Sequence, residues 1–491
     1  MFSKSLANFK RLAMAGGLAV ALAAGAPGAG QSTAPRAITP SEARLGAEYD
    51  PQLIKEYGGE ITGPPADYVA MVGKNIAVQS GLGNARESFD VALLNSSIEN
   101  AFAIPGGYIY ATRQLVALMN NEAELAAVLG HEVGHVASRH SAKRQKAATR
   151  NQILGVLGQV LAGAVLGNGA LGQIGQQIAG AAPELATLQY SRTQELRADK
   201  LGVDYLIRAG YDPHAMATVL QSLAAQNALD AQLQGRNSAR PQWASTHPDP
   251  ASRVRTALRL AGTRTGITNR DAFLSRIDGM LYGDDPAQGV VEGRSFIHPV
   301  YRLTFTAPEG FYMVNGTDAV SISGDRGKAQ MSSAAFNGDF ASYINGVFRQ
   351  IGGQTNLGPQ DIQTTTVNGI PAGYSVARAT SGGQAVDVTV FAYAFANNQA
   401  FHFATITPAG QSNVFSPMFG SMRRLTEAEA RQVIPRRIRV VTAGASDTVA
   451  TLSARMAYSN AQEQRFRVLN GLTGGQAVVP GQKYKIVVQS R

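Results

Sequence analysis

In the stretch His131-Glu132-Val133-Gly134-His135, residue type and spacing together imply chemistry. On a helix, residues four apart share one face, one turn apart. His131 and His135 can therefore grip one Zn²⁺ from a single helix, and Glu132 then faces the water that the metal activates, as its general base. The alternative is two surface histidines beside a solvated glutamate. The neighbouring residues argue for a buried helix instead. Asn121 and Glu124 have the shape of a capping box, and Leu125, Val128, Leu129, Gly134, Val136 and Ala137 form an apolar surface broken only by the motif. Titratable side chains inside such a surface are costly unless paired or metal-bound. Gly134 costs about 1 kcal/mol against alanine in a helix interior, and close approach of a neighbouring element would account for it. The helix turns basic and leaves the core at Arg139, His140, Lys143 and Arg144.

Two histidines do not complete a catalytic zinc site, which takes three protein ligands and an open position. The candidate third ligand is Glu195, in a helical stretch from about Glu184 to Ala209 that Gly210 ends. Asp199 lies four residues on, on the same face, where it can orient a ligand histidine. Read alone, the pair also fits a solvated face with ordinary acid–base partners such as Glu195 with Arg192.

With these residues in place, the chain resembles the HtpX/BepA-like zinc metallopeptidases, gluzincin-type enzymes in the clan of the CAAX prenyl proteases. The resemblance rests on Asn100 to Tyr110, His131 to His135, Ser191 to Asp199, and Thr246-His247-Pro248-Asp249-Pro250 followed by Arg253, in family order across roughly residues 40 to 265. It implies one zinc ion, Glu195 as third ligand and Asp199 as the residue orienting a ligand. It also gives a role to the hairpin of residues 101–104 and 108–110 around Pro105-Gly106-Gly107. Asn100, Ala101, Phe102 and Ala103 would hold substrate as an added strand through backbone hydrogen bonds; a purely structural hairpin is compatible with that. The prolines stiffen the loop of His247, which can carry that side chain to the metal's open position or to the oxyanion of the reaction. Arg253 supplies positive charge to the site or anchors the loop to a carboxylate. His140, His214, His298 and His402 show no partner pattern and read as surface or packing histidines.

The reaction implied is peptide hydrolysis, with Glu132 taking the water's proton and passing it to the leaving amine. Lys4, Lys10 and Arg11 precede an uncharged apolar run from Leu12 to about Ala26, which reads as a secretory signal peptide over residues 1–30, too short for a comfortable membrane span. The chain has no cysteine, hence no lipid-attachment cysteine, disulfide or thiolate metal site. A soluble protein of the bacterial periplasm, not a lipoprotein, is expected. The formal charge of +10 comes without a dense basic block interleaved with aromatics, so nucleic acid is not a partner.

From Asn151 to Pro183 there is no charged residue, and eight glycines punctuate Leu, Val, Ile and Ala. A mobile lid or membrane-touching hairpin over the cleft is the preferred reading, ahead of core packing and a transmembrane hairpin.

The length calls for several domains: a mainly α, zincin-like catalytic domain with a small edge hairpin over residues 37–280, an α+β antiparallel-sheet domain over 290–430, and a small module over 436–491. The middle region alternates strands, as in Tyr301 to Phe305 and Val386 to Phe391, around a helix at Phe340 to Ile351. Its strands resemble a PsbP/DcrB-type fold, and accessory docking is its expected role. The tail has the strand–helix–helix–strand order of a LysM-like βααβ module, which implies contact with peptidoglycan, although residues inserted near Gly444 and Asp447 leave packing alone as the alternative. The expected function is envelope protein quality control, with unfolded or mis-assembled envelope proteins as substrate. The alternative is a latent or non-proteolytic chaperone or scaffold bound to peptidoglycan, its zinc site shut by His247.

Overall fold

The computed structural model describes residues 37–140, 190–233, 247, 250–352, 357–381, 384–395 and 398–491. The expected signal peptide (1–30) and the uncharged segment 151–183 lie outside these residues. Among the described residues, no helix is long and apolar enough to cross a membrane.

The first unit opens with α1 (Pro40–Glu56), begun by a reciprocal cap between Thr39 and Glu42, and α2 (Pro64–Val78). Three short strands follow: β1 (Asp90–Leu94), β2 (Ala101–Ile104) and β3 (Tyr108–Thr112). They lie in the order β1-β3-β2, with β1 parallel and β2 antiparallel to β3. The expected hairpin is thus one side of a three-stranded sheet and β2 is an edge strand. Gly106 and Gly107 turn it with φ of 95° and 88°, a conformation that side chains other than glycine's rarely adopt.

After α3 (Arg113–Leu118) comes α4 (Glu122–Ala137), the motif helix, buried from Glu122 to His135. Asn121 caps it by accepting from the Glu124 amide at 2.9 Å. The reciprocal half of the expected capping box is absent. The Glu124 carboxylate instead accepts from the Asn120 amide and the Thr218 hydroxyl, both at 2.7 Å, because it lies inside the core rather than at its surface. Helix α5 (Arg192–Ala209) starts at a capping box of Ser191 with Gln194 and stops at left-handed Gly210. It crosses α4 closely. A Cβ on Gly134 would lie 3.2 Å from the Ala198 carbonyl oxygen, and one on Gly202 3.2 Å from the His131 amide nitrogen. Helices α6 (Ala215–Leu233), α7 (Pro250–Ala261) and α8 (Arg270–Ile277) pack around this pair.

Between about residues 290 and 425 the chain is α+β. A seven-stranded antiparallel sheet, built from segments between Tyr312 and Pro408, carries helix α9 (Phe340–Gly352) on one face. Ile344 and Phe348 pack there with Val388 and Val390. Its other face meets a four-stranded sheet through Phe296, Phe305, Phe401 and Phe403.

The tail has the expected order: strand (Arg436–Thr442), helix (Val449–Ser453), helix (Gln462–Leu469), strand (Lys483–Gln489). It is not set apart from the first unit. Its first strand also pairs with Leu281–Tyr282, and Leu452, Phe466 and Ile486 belong to one hydrophobic core with Ile76, Leu125 and Phe273. Buried Lys485 donates to the carbonyls of Ala117, Leu118 and Met119 at 2.7, 3.3 and 2.5 Å, placing its amine at the end of α3 where the carbonyls lack helical partners.

Candidate metal centre

The crossing of α4 and α5 brings the motif to a point. His131 and His135 project from one face of α4 and Glu195 from the first turn of α5, while His247 comes from the chain just before α7; all four are buried. His131 Nε2 lies 3.0 Å from His135 Nε2, 3.5 Å from Glu195 Oε2 and 3.2 Å from His247 Nδ1. Glu195 Oε1 lies 3.4 Å from His135 Nε2 and 3.1 Å from His247 Nδ1. A tetrahedron with arms of about 2.0–2.2 Å, the span of zinc–nitrogen and zinc–oxygen bonds, has corners about 3.3–3.6 Å apart. The donor set and its spacing therefore fit one zinc ion, and these four residues form the one group of metal-ligating side chains among the described residues.

The electrostatics agree. Burial pushes His135 well below its ordinary pKa, and the Glu195 carboxylate offsets this only in part, so the ring is neutral, as a metal ligand must be. Burial alone would raise the Glu195 carboxyl. His247 and His131 beside it outweigh that and hold it well below the usual range.

Each remaining candidate has a definite place. Asp199 Oδ1 accepts from His131 Nδ1 at 2.9 Å, which turns the other ring nitrogen toward the centre. Burial would raise this carboxyl too, but the Arg253 guanidinium brings it below its ordinary value. Arg253, itself buried, donates to both Asp199 oxygens at 2.7 and 2.5 Å and lies 2.7 Å from Glu195 Oε2. The guanidinium thus engages both carboxylates. Glu132 is buried beside the centre, its Oε1 3.5 Å from His247 Nε2. Asn100 opens β2, its amide donating to Thr112 Oγ1 at 3.0 Å, and the side chains of Ala101, Phe102 and Ala103 are buried. Any docking along this edge must use the backbone.

One reading is corrected. His140 is neither on the surface nor mere packing: it is buried, and its Nδ1 lies 2.9 Å from His135 Nδ1. Tyr190, which no motif marks, is buried beside it. Its ring stacks on His135 with centroids 3.6 Å apart.

Residues 65–261, which contain every residue of this centre, match the sequence profile described as Peptidase family M48. Among known proteins, the chain is 32% identical to the beta-barrel assembly-enhancing protease of Yersinia pestis, over 39% of this chain and 37% of that protein. It is 28% identical to the mitochondrial metalloendopeptidase OMA1 of Schizosaccharomyces pombe, over 44% of this chain and 59% of that protein. The chain therefore spans little more than a third of the length of its bacterial relative. A solution structure of PsbP from Synechocystis sp. PCC 6803 aligns with 26% of this chain and 91% of its own at 9% identity and a TM-score of 0.22, too low to argue from. The motif helix and the crossing helix both fall within residues 65–261, the stretch that matches the Peptidase family M48 profile.

Proposed function

We propose that the protein is a zinc-dependent metalloendopeptidase of the bacterial periplasm that cleaves misfolded or mis-assembled envelope proteins. The observation that carries this reading is the buried tetrahedral donor set of His131, His135, Glu195 and His247 with Glu132 beside it. His131, His135 and Glu195 are the proposed ligands, with Asp199 orienting His131 and Arg253 holding Asp199 and Glu195 in place. When bound, zinc supplies a Lewis acid that polarises the scissile carbonyl and makes water acidic enough to react near neutral pH. Glu132 takes a proton from the attacking water as its oxygen bonds to the carbonyl carbon. It passes that proton to the nitrogen as the C–N bond breaks. Substrate lies along the edge strand β2, held by backbone hydrogen bonds that tolerate many sequences. The envelope setting is supported by the bacterial relative's name. The strand–helix–helix–strand tail supports contact with peptidoglycan as a LysM-like module.

Glu132→Gln tests this reading. The variant is expected to keep its fold and zinc and to lose casein cleavage; cleavage at the wild-type rate would sink the mechanism. A second reading is favoured by one observation: His247 Nδ1 stands at the fourth corner, and closed four-ligand sites are structural whereas catalytic ones keep a position open. The centre would then be latent in this state. His247→Ala is expected to retain zinc, with weaker affinity, and to cleave casein faster than wild type. Zinc without cleavage in both proteins would instead favour a chaperone or scaffold.

A further inference from the structure

The two histidines of the motif present themselves alike. Each turns Nε2 toward the centre and Nδ1 away from it. For His131 the outward nitrogen meets Asp199; for His135 it meets His140 Nδ1, at the same distance of 2.9 Å. We infer that His140 is a positioning residue that sets the tautomer and ring angle of His135 for metal binding, an inference that rests on the zinc reading above.

Two imidazole nitrogens this close share one hydrogen. His135 Nε2 points among Glu195 and His131, so its lone pair belongs there and Nδ1 carries the proton. That N–H donates to His140 Nδ1, whose own proton then sits on Nε2. Such partners fix ligand orientation, and losing one typically weakens metal binding 10- to 100-fold. Tyr190, stacked on the ring of His135, restrains its tilt.

The chain takes an unusual path to place His140. Helix α4 ends at Ala137, Ser138 caps it, and Arg139 adopts φ of 52°, outside the helical region. That turn is pinned from the N-terminal helix: Arg139 Nε donates to Glu42 Oε1 at 2.9 Å and Nη2 to the Ala37 carbonyl at 3.1 Å. The reversal brings His140 back beside His135, a position that five residues of uninterrupted helix would not allow.

The test compares full-length wild type, His140→Asn and His140→Leu. Asparagine keeps an acceptor oxygen near the place of Nδ1; leucine keeps bulk and removes the acceptor. Zinc dissociation constants are measured by competition with a chromophoric chelator, alongside the visible absorption of the Co²⁺-substituted proteins and melting temperatures in chelator. The leucine variant is expected to bind zinc about 10- to 100-fold more weakly with a shifted Co²⁺ spectrum, and the asparagine variant to stay within about threefold of wild type. Wild-type affinity in the leucine variant would overturn the inference, as would equal weakening in both variants. If the leucine variant does not fold, the asparagine variant decides, and a tenfold loss there counts against the inference. Wild type that binds no zinc would overturn the zinc reading and this inference together, whereas failure of the inference alone leaves wild-type zinc binding intact.

Discussion

Replacing Arg253 by methionine tests what holds the centre together. The guanidinium makes three short contacts with two buried carboxylates: 2.7 and 2.5 Å to Asp199 and 2.7 Å to Glu195. Methionine keeps most of the apolar stem and removes the charge, taking the guanidinium away from both carboxylates. Breaking a buried pair in this way costs about 3–5 kcal/mol. At about 2–4 °C per kcal/mol for a unit of this size, the melting temperature should fall by on the order of 10 °C. The pH dependence carries the sign. In the wild type the Asp199 carboxyl lies below its ordinary value, since Arg253 outweighs burial. Its contribution is therefore present above the unfolded pKa of about 3.9 and is lost as pH falls through the folded value. In Arg253→Met burial dominates and the folded value lies above the unfolded one, so the variant recovers stability as pH falls. Circular-dichroism melts at pH 7 and pH 5, with zinc and with chelator, read both effects. Wild-type stability at pH 7, or a deficit that does not shrink toward pH 5, would refute the reasoning.

Two other perturbations probe the rest of the chain. Burial pushes His402 down to about 4, so the folded state holds it neutral while the unfolded state takes up a proton as pH falls below about 6.5; this removes about 3 kcal/mol between pH 6.5 and 4. Urea midpoints at pH 7 and 4.5 should differ less in His402→Gln than in wild type, and an equal difference would count against the assignment. Burial also lowers the Lys485 amine to about 7, yet its three carbonyl contacts tie the tail to the end of α3. Lys485→Met should cost about 3 kcal/mol through unsatisfied buried carbonyls and speed proteolysis near residues 113–120; unchanged protease resistance would argue that the tail is a passive appendage.

The motif was legible because both histidines and the glutamate lie within one turn of one helix, where spacing alone fixes geometry. Glu195 and Asp199 were less so, since acid pairs at that spacing also decorate solvated faces; what distinguishes them is burial, conferred by glycines at the crossing of α4 and α5. His140 was not legible at all. A separation of five does not share a helix face, and only the left-handed turn at Arg139 makes it a neighbour of His135. The tail shows another way in which pattern fails. Tyr484-Lys485-Ile486-Val487 alternates like a half-exposed strand, yet all four are buried, because the tail's own helices cover one face and the first unit the other.

The position of His247 joins these observations into one constraint on activity. Its Nδ1 stands 3.1 Å from Glu195 Oε1, at the fourth corner, and its Nε2 faces Glu132 Oε1 at 3.5 Å. On the proposed mechanism, one imidazole thus spans the place where water would bind and the Glu132 carboxylate that would deprotonate it. Arg253, six residues on, grips Glu195 by its other oxygen, Oε2 at 2.7 Å, and holds Asp199 as well. On the proposed reading, withdrawal of His247 alone would open the coordination position and uncover Glu132 in the same step, without disturbing His131 and Glu195, which Asp199 and Arg253 hold, or His135, which His140 contacts. A latent state and an active one can therefore differ by a single side chain on a fixed frame. On that account His247→Ala should raise cleavage while Arg253→Met should abolish zinc retention, although both residues lie on the same short stretch of chain.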